Sequence, residues 1–158
     1  MFARTERLLL RPGFAEDARE LARAIGEEAV VRNLATAPWP YGEADAHAFL
    51  TADRNPLHPA LLMIMRTAGR PQIVGGIGYG PRPEHDGVEL GYWVARPYWG
   101  LGLATEAGRA VLAMARATGA PPLVAGHFAD NPASGAVLRK LGFRPTGRSE
   151  RRFSMARG

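Results

Sequence analysis

The chain has 158 residues, 46% hydrophobic and 22% charged, with a formal net charge of +5 and no cysteine. That length fits one domain, residues 1–158, with a substantial core. The lack of thiols excludes a disulfide framework, a cysteine nucleophile and thiolate metal sites, and the longest apolar run, residues 60–65, is too short to span a membrane.

In chain order, residues 6–12 (ERLLLRP) read as a strand stopped by Pro12 and Gly13. Phe14, Ala18, Leu21, Ala22 and Ile25 form a helical stripe ended by Gly26, with Glu16 and Asp17 in its first turn. Residues 28–34 add a short helical piece. Residues 37–42 (APWPYG) exclude helix and central strand, because Pro38 and Pro40 lack donors. A helix over 43–51 and a loop over 53–59 follow. Residues 61–66 and 73–79 are strands joined by a turn, and 81–87 turn into a third strand at 88–94. Gly76 and Gly78 share one face of the middle strand, which permits close approach of backbone or ligand. Leu103, Ala107, Ala110, Val111 and Met114 share one helical face. Residues 123–128 form a strand, Ser134, Val137, Leu138 and Leu141 mark a last helix ended by Gly142, and 143–148 form a sixth strand. The fold class expected is α/β, with a mixed, largely antiparallel sheet flanked by helices.

Nineteen arginines but one lysine, Lys140, carry the positive charge. They are scattered apart from Arg144, Arg148, Arg151 and Arg152, which disfavours a nucleic-acid role and suits a phosphorylated cofactor. Abundant Arg, Ala, Gly and Pro point to a GC-rich bacterial genome. The apolar stretch nearest the N-terminus, residues 8–10, is too short for a signal peptide, so a soluble cytoplasmic protein is expected.

The chemistry concentrates at residues 88–118. A strand feeds the loop 96–102, which opens a helix at Leu103. Such a junction aims free backbone N–H groups and the positive end of a helix at one spot, which suits a phosphate. The loop holds no lysine, excluding a Walker A motif. Gly100 and Gly102 are followed by Ala104 and Thr105 with no acid in the window a dinucleotide fingerprint requires.

What remains, GLGLA at 100–104, resembles the pyrophosphate loop of the GCN5-related N-acetyltransferases (GNAT superfamily). Asn131, Lys140, Gly142 and Phe143 match that family's later motif. The segments TERLLLRP, ELGYWVARPYWGLGLATEA and DNPASGAVLRKLGF are similar to the branch that acetylates ribosomal-protein N-termini, the RimJ/RimL-like proteins. The resemblance implies a GNAT fold and acetyl transfer from acetyl-CoA, as cosubstrate and without metal, to an amine. That amine belongs to a peptide N-terminus or a small molecule, an antibiotic or polyamine included. It implies that Trp93, Val94, Tyr98, Trp99, Gly100, Leu101, Gly102, Leu103, Ala104, Thr105, Asn131 and Ser134 hold the cofactor.

Two departures stand out. Leu138 occupies the place where many members carry a tyrosine acid, and Ser134 is the residue that takes its work. The usual seventh strand has no counterpart before Gly158, and an uncovered strand edge invites a homodimer. For the catalytic pair we expect Glu89, on a strand face with Gly91 and Trp93, as general base through a water, and Ser134 as proton donor. His127 is expected to be structural; His47, His58 and His85 show no metal spacing. Trp39, Tyr41, Trp93, Tyr98 and Trp99 are expected to line an acceptor cleft, near the acids Glu27, Glu28, Glu43 and Asp45. The non-enzyme alternative is an acyl-CoA-binding sensor.

Overall fold

A computed structural model describes the chain except residues 68, 83, 84, 148–153 and 158, with side chains undescribed at 85 and 86. Six strands, β1 (Ala3–Arg4), β2 (Leu8–Pro12), β3 (Ala60–Met65), β4 (Gln72–Arg82), β5 (His85–Val94) and β6 (Leu123–Val124), form one sheet in sequential order. Neighbours are antiparallel except β5 and β6, which run parallel. Helices α1 (Ala18–Ile25), α2 (Glu28–Val31) and α3 (Glu43–Thr51) precede β3. Helix α4 (Leu103–Ala117) connects β5 to β6, and α5 (Pro132–Lys140) follows. The α/β class with a mixed, mainly antiparallel sheet is therefore observed, and the meander β3–β4–β5 matches the sequence reading.

The even residues of β5 explain one half of the core. Val88, Leu90, Tyr92 and Val94 pack with Leu103, Ala107, Val111 and Ala115 of α4, one residue per helical turn. The odd residues face the other way. Trp93 packs in one cluster with Leu21 of α1, Ala46 of α3 and Leu62 of β3, and in another with Val30 and Val31 of α2. Each fully buried Leu or Val contributes roughly 1.5–3 kcal/mol. Gly76 of β4 is required by this arrangement: a Cβ there would lie 2.5 Å from Trp93 Nε1. The close approach expected at Gly76 is thus made by an indole, and at Gly78 by the Pro59 carbonyl. Helices α4 and α5 touch in the same way, since a Cβ on Gly108 would stand 2.5 Å from Leu141 Cδ1.

Several strand boundaries differ from the sequence reading. The turn expected over 81–87 is largely strand: β4 runs on to Arg82 and β5 starts at His85, pairing Pro81 with Val88 and Arg82 with His85 across a register shift. The two-residue β1 had no periodicity to betray it. The strand expected over 123–128 pairs only as Leu123–Val124, because its parallel register with Val88 and Glu89 ends there. The sixth strand expected over 143–148 is not observed at 143–147, where Pro145 lacks a donor and Gly147 has φ +78°; Arg148 lies outside the described residues. From Leu90 to Val94, consequently, β5 has no strand beside its outer edge among the described residues. The sheet opens into a V there.

Glu106, in the first turn of α4, ties the helix to the start of β2. It accepts hydrogen bonds from Thr5 Oγ1 at 2.6 Å, Arg7 N at 2.9 Å and Arg7 Nε at 2.8 Å. Burial pushes the Glu106 carboxyl up, but these bonds together outweigh it and hold the group below its ordinary range. Asp17 is held low by the Arg11 guanidinium, which it binds at 2.8 and 2.9 Å. A carboxylate depressed by folding contributes stability above its unfolded pKa of about 4 and loses it as pH falls through the folded value. The thermal midpoint is expected to drop as pH is lowered from about 5 to about 3. In Glu106→Gln the midpoint starts lower and falls less steeply; an unchanged slope in a pH series of melting curves would refute the assignment.

Candidate functional site

The V between β5 and β6 gathers the expected residues from three elements. Strand β5 brings Glu89, Trp93 and Val94, the loop and first turn of α4 bring residues 98–105, and the start of α5 brings Asn131 and Ser134.

The loop is a cradle of main chain. Gly100 and Gly102 both have φ +77°, a conformation that costs other residues about 1–2 kcal/mol. Gly102 is the N-cap of α4, and its carbonyl accepts the first helical hydrogen bond, from Glu106 N at 3.0 Å. The N–H groups of Leu103, Ala104 and Thr105 therefore lack i−4 helical acceptors. Their side chains are buried and take no part in lining the outside. A Cβ on Gly100 would meet nothing within 4 Å, and one on Gly102 would meet only Arg7 Nη2, at 3.7 Å. The space where those two Cβ atoms would stand is thus nearly empty, which leaves the main chain of both glycines approachable from that side. Arg7, fixed by Glu106, sets a guanidinium beside it; the sequence reading missed this residue, since its partner lies 99 positions away. Leu101 is exposed, and Tyr98 donates to Gln72 Oε1 at 2.6 Å.

The open edge of β5 has a definite hydrogen-bonding direction. Ala95 N donates to Val74 O while Val94 stands opposite Gly75. Val94 is thus in a non-hydrogen-bonded pair, and its N–H and C=O point away from β4, into the V. Trp99 Nε1 takes the carbonyl at 2.7 Å, leaving the N–H as the main-chain donor of Val94 that faces the V.

Ser134 lies across the V from β5. Its Oγ is 2.5 Å from the Tyr92 hydroxyl, a contact in which either oxygen can donate, and the Tyr92 hydroxyl is also within 3.2 Å of Ser134 O, which can accept its hydrogen instead. Ser134 is not the N-cap of α5, which is Asn131, with Pro132 after it. Burial pushes the Tyr92 phenol up, and its Ser134 bond offsets part of that. Tyr92 was also missed in the sequence reading. Alternation put it on the α4 side of β5, but nothing local linked it to a helix 42 residues on.

Glu89 is 6% exposed and on the opposite face of β5 from Tyr92, as its alternation with Leu90 requires. Arg82 Nε stands 3.8 Å from Glu89 Oε1. His127 is exposed, with Nδ1 at 2.9 Å from Phe128 O and its ring against Gly135, a structural placement.

A cleft of about 660 Å³ opens beside the V, lined by α2 with Glu27, Glu28 and Arg32, by Arg96 and Trp99, and by Asp130 and Asn131. It brings Trp99 and Asn131 together. Trp39 and Tyr41 are not among its lining residues: with Trp93 they pack on Ile25, Val30 and Val31. Glu43 lies elsewhere, 3.8 Å from Arg19, and Asp45 caps α3 through Gly42 N. The third wall is clasped by Arg157, which binds Asp130 at 2.7 and 2.8 Å and Asn33 at 2.7 Å and stacks on Phe128. Among the described residues no cluster of His, Cys, Asp and Glu could hold a metal, and no helix is long and apolar enough to cross a membrane.

A family model described as an acetyltransferase (GNAT) domain matches residues 7–144. Among solved structures, a GNAT-family acetyltransferase from Bacillus anthracis is 23% identical with a TM-score of 0.78, covering 93% of this chain and 86% of that one. The microcin C7 self-immunity acetyltransferase MccE, solved with acetyl-CoA and AMP, is 19% identical with a TM-score of 0.74, covering 90% and 81%. RimL, the ribosomal L7/L12 α-N-protein acetyltransferase solved with coenzyme A, is 18% identical with a TM-score of 0.73, covering 90% and 84%. No curated protein matched the sequence.

Proposed function

Because the chain belongs to the GNAT acetyltransferase family and is an acetyl-CoA-dependent acetyltransferase, we propose that it acetylates a primary amine by direct attack in a ternary complex formed in the V. The observation that carries this reading is the left-handed glycine turn at Gly100 and Gly102 that opens α4, next to the edge of β5 that is unpaired among the described residues from Leu90 to Val94. In this reading the diphosphate of acetyl-CoA sits on the N–H groups of Gly102 to Thr105, with Arg7 alongside. The pantetheine runs past Asn131, and the thioester carbonyl takes the N–H of Val94. The amine arrives on the Glu89 face, where α1 and α2 flank the strand; Glu89 removes its proton through a water. The lone pair attacks the carbonyl carbon, Val94 N–H steadies the oxyanion, and the carbon–sulfur bond breaks with Ser134 giving the sulfur a proton.

The acceptor is a peptide N-terminus or a small-molecule amine reaching the cleft beside α2. The ribosomal-protein branch is favoured by the three sequence segments that resemble it. The edge of β6, which has no further strand beside it among the described residues and leaves Val124 45% exposed, suits a homodimer. We place the protein in the bacterial cytoplasm, where acetyl-CoA is made.

The test is release of free CoA with a panel of peptides bearing ribosomal-protein N-termini, spermidine and aminoglycosides. At least one is expected to turn over, and Ser134→Ala to lower kcat by about 10²-fold. No turnover, together with no acetyl-CoA binding by calorimetry, defeats the proposal. Tight binding without turnover of any amine would replace it with the sensor.

A further inference from the structure

A serine hydroxyl alone is a poor acid for a departing thiolate. Thiols titrate near 8.5, and an aliphatic hydroxyl that surrenders its proton unaided becomes an alkoxide. The contact behind Ser134 answers this difficulty. Tyr92 Oη stands 2.5 Å from Ser134 Oγ, at the lower end of O–H···O distances, and reaches it across the V from a different element. The phenol is half-buried against the α4 core, so it has few competing partners, and an ordinary phenol titrates near 10, close to the thiol it would serve. Burial raises it further, which keeps it protonated at neutral pH.

We propose that Tyr92 is a positioning residue that orients the Ser134 hydroxyl toward the thioester sulfur and replaces the proton Ser134 gives up. This rests on the reading of Ser134 as proton donor. In the arrangement where the one Tyr92 hydrogen goes to Ser134 Oγ rather than to Ser134 O, the serine's own hydrogen is turned away from Tyr92 and toward the V. As the nitrogen–carbon bond forms and the carbon–sulfur bond breaks, sulfur leaves with the bonding pair and takes the Ser134 proton. Ser134 Oγ takes the proton of Tyr92, and the phenolate regains one from cleft water. The amine's surplus proton passes through Glu89 to solvent, so the net transfer is one proton from amine to thiol. The acid of the reaction is thereby a tyrosine from the central strand, acting at one remove. Leu138, 6% exposed and fixed in the α5 packing, has no polar atom to contribute.

Two measurements test it. Tyr92→Phe removes one oxygen and keeps the ring. Ser134→Ala, Tyr92→Phe and the double variant are each expected to lower kcat for the panel amine turned over fastest by about the same factor, about 10²-fold, as residues acting as a unit do. The KM for acetyl-CoA stays within about twofold, since no ground-state contact is lost. Losses that multiply in the double variant overturn the proposal, as does a Tyr92→Phe enzyme with wild-type kcat. The second measurement needs no turnover: the 13Cζ resonance of labelled Tyr92 is followed with coenzyme A and with desulfo-coenzyme A. A shift that differs between the two, and ceases to differ in Ser134→Ala, supports the sulfur–Ser134–Tyr92 chain; identical shifts in the wild type overturn it. A wild type that turns over no amine in the panel fails the acceptor reading alone, while the resonance still decides the role of Tyr92.

Discussion

Gly102→Val is expected to weaken acetyl-CoA binding by about 10²-fold or more while the chain still folds, because two hydrogen bonds to a charged group are worth roughly 3–6 kcal/mol. Gly102 holds φ +77° at the N-cap of α4. A β-branched residue cannot keep that left-handed turn without strain of about 1–2 kcal/mol, so the cap twists and the N–H groups of Leu103 and Ala104 lose their common aim. The stability loss is the smaller part, since the first turn is also anchored by Glu106 through Arg7 and Thr5. Calorimetric titration with acetyl-CoA measures the binding, and a melting curve separates it from unfolding. Wild-type affinity in Gly102→Val would mean that the diphosphate sits elsewhere.

Glu89→Gln is the second large effect. The amide keeps the volume of the carboxylate, so packing beside Arg82 is retained, but it cannot accept the amine's proton. A fall in kcat of about 10²–10⁴-fold is expected with little change in acetyl-CoA affinity. The loss should shrink as pH rises and more of the amine arrives already deprotonated. A kcat–pH series on the fastest-turned-over amine checks it. Equal losses at every pH would make Glu89 a structural partner of Arg82 instead. The assignment draws support from the two-sidedness of β5: Glu89 faces the acceptor-side helices while Tyr92 and Ser134 meet on the other face. In the proposed mechanism one strand thus carries the base on one face and the acid on the other.

The β5–α4 unit was legible in the sequence for a physical reason. Alternation over residues 88–94 separated Glu89, Gly91 and Trp93 from the side chains that face α4, and the row Leu103, Ala107, Ala110, Val111 and Met114 marked the helix face that receives them. The glycine loop expected to open the helix is there, with Gly100 and Gly102 both at positive φ. What escaped was long-range or unpatterned. The Tyr92–Ser134 and Arg7–Glu106 contacts join residues 42 and 99 positions apart, and only the packed sheet brings them within reach. The end of β6 escaped because strand length there is set by divergence from β5, which its apolar residues do not record. Trp39 and Tyr41 were expected in a cleft on the argument that a proline-rich loop makes a poor core. The loop instead lays both rings on Trp93 and α2, since its prolines carry no N–H that burial would strand.

The contact between Gly108 and Leu141 sets a length standard within the molecule. In the proposed reading one helix carries the anchor for the charged end of the donor and the other the hydroxyl for its reactive end, and the missing side chain at Gly108 lets Leu141 pack directly on α4. Anchor and hydroxyl are held at a fixed span, like the jaws of a gauge. A donor whose arm matches that span delivers its acyl group to the working atoms, and one that is shorter is held correctly at one end with nothing at the other.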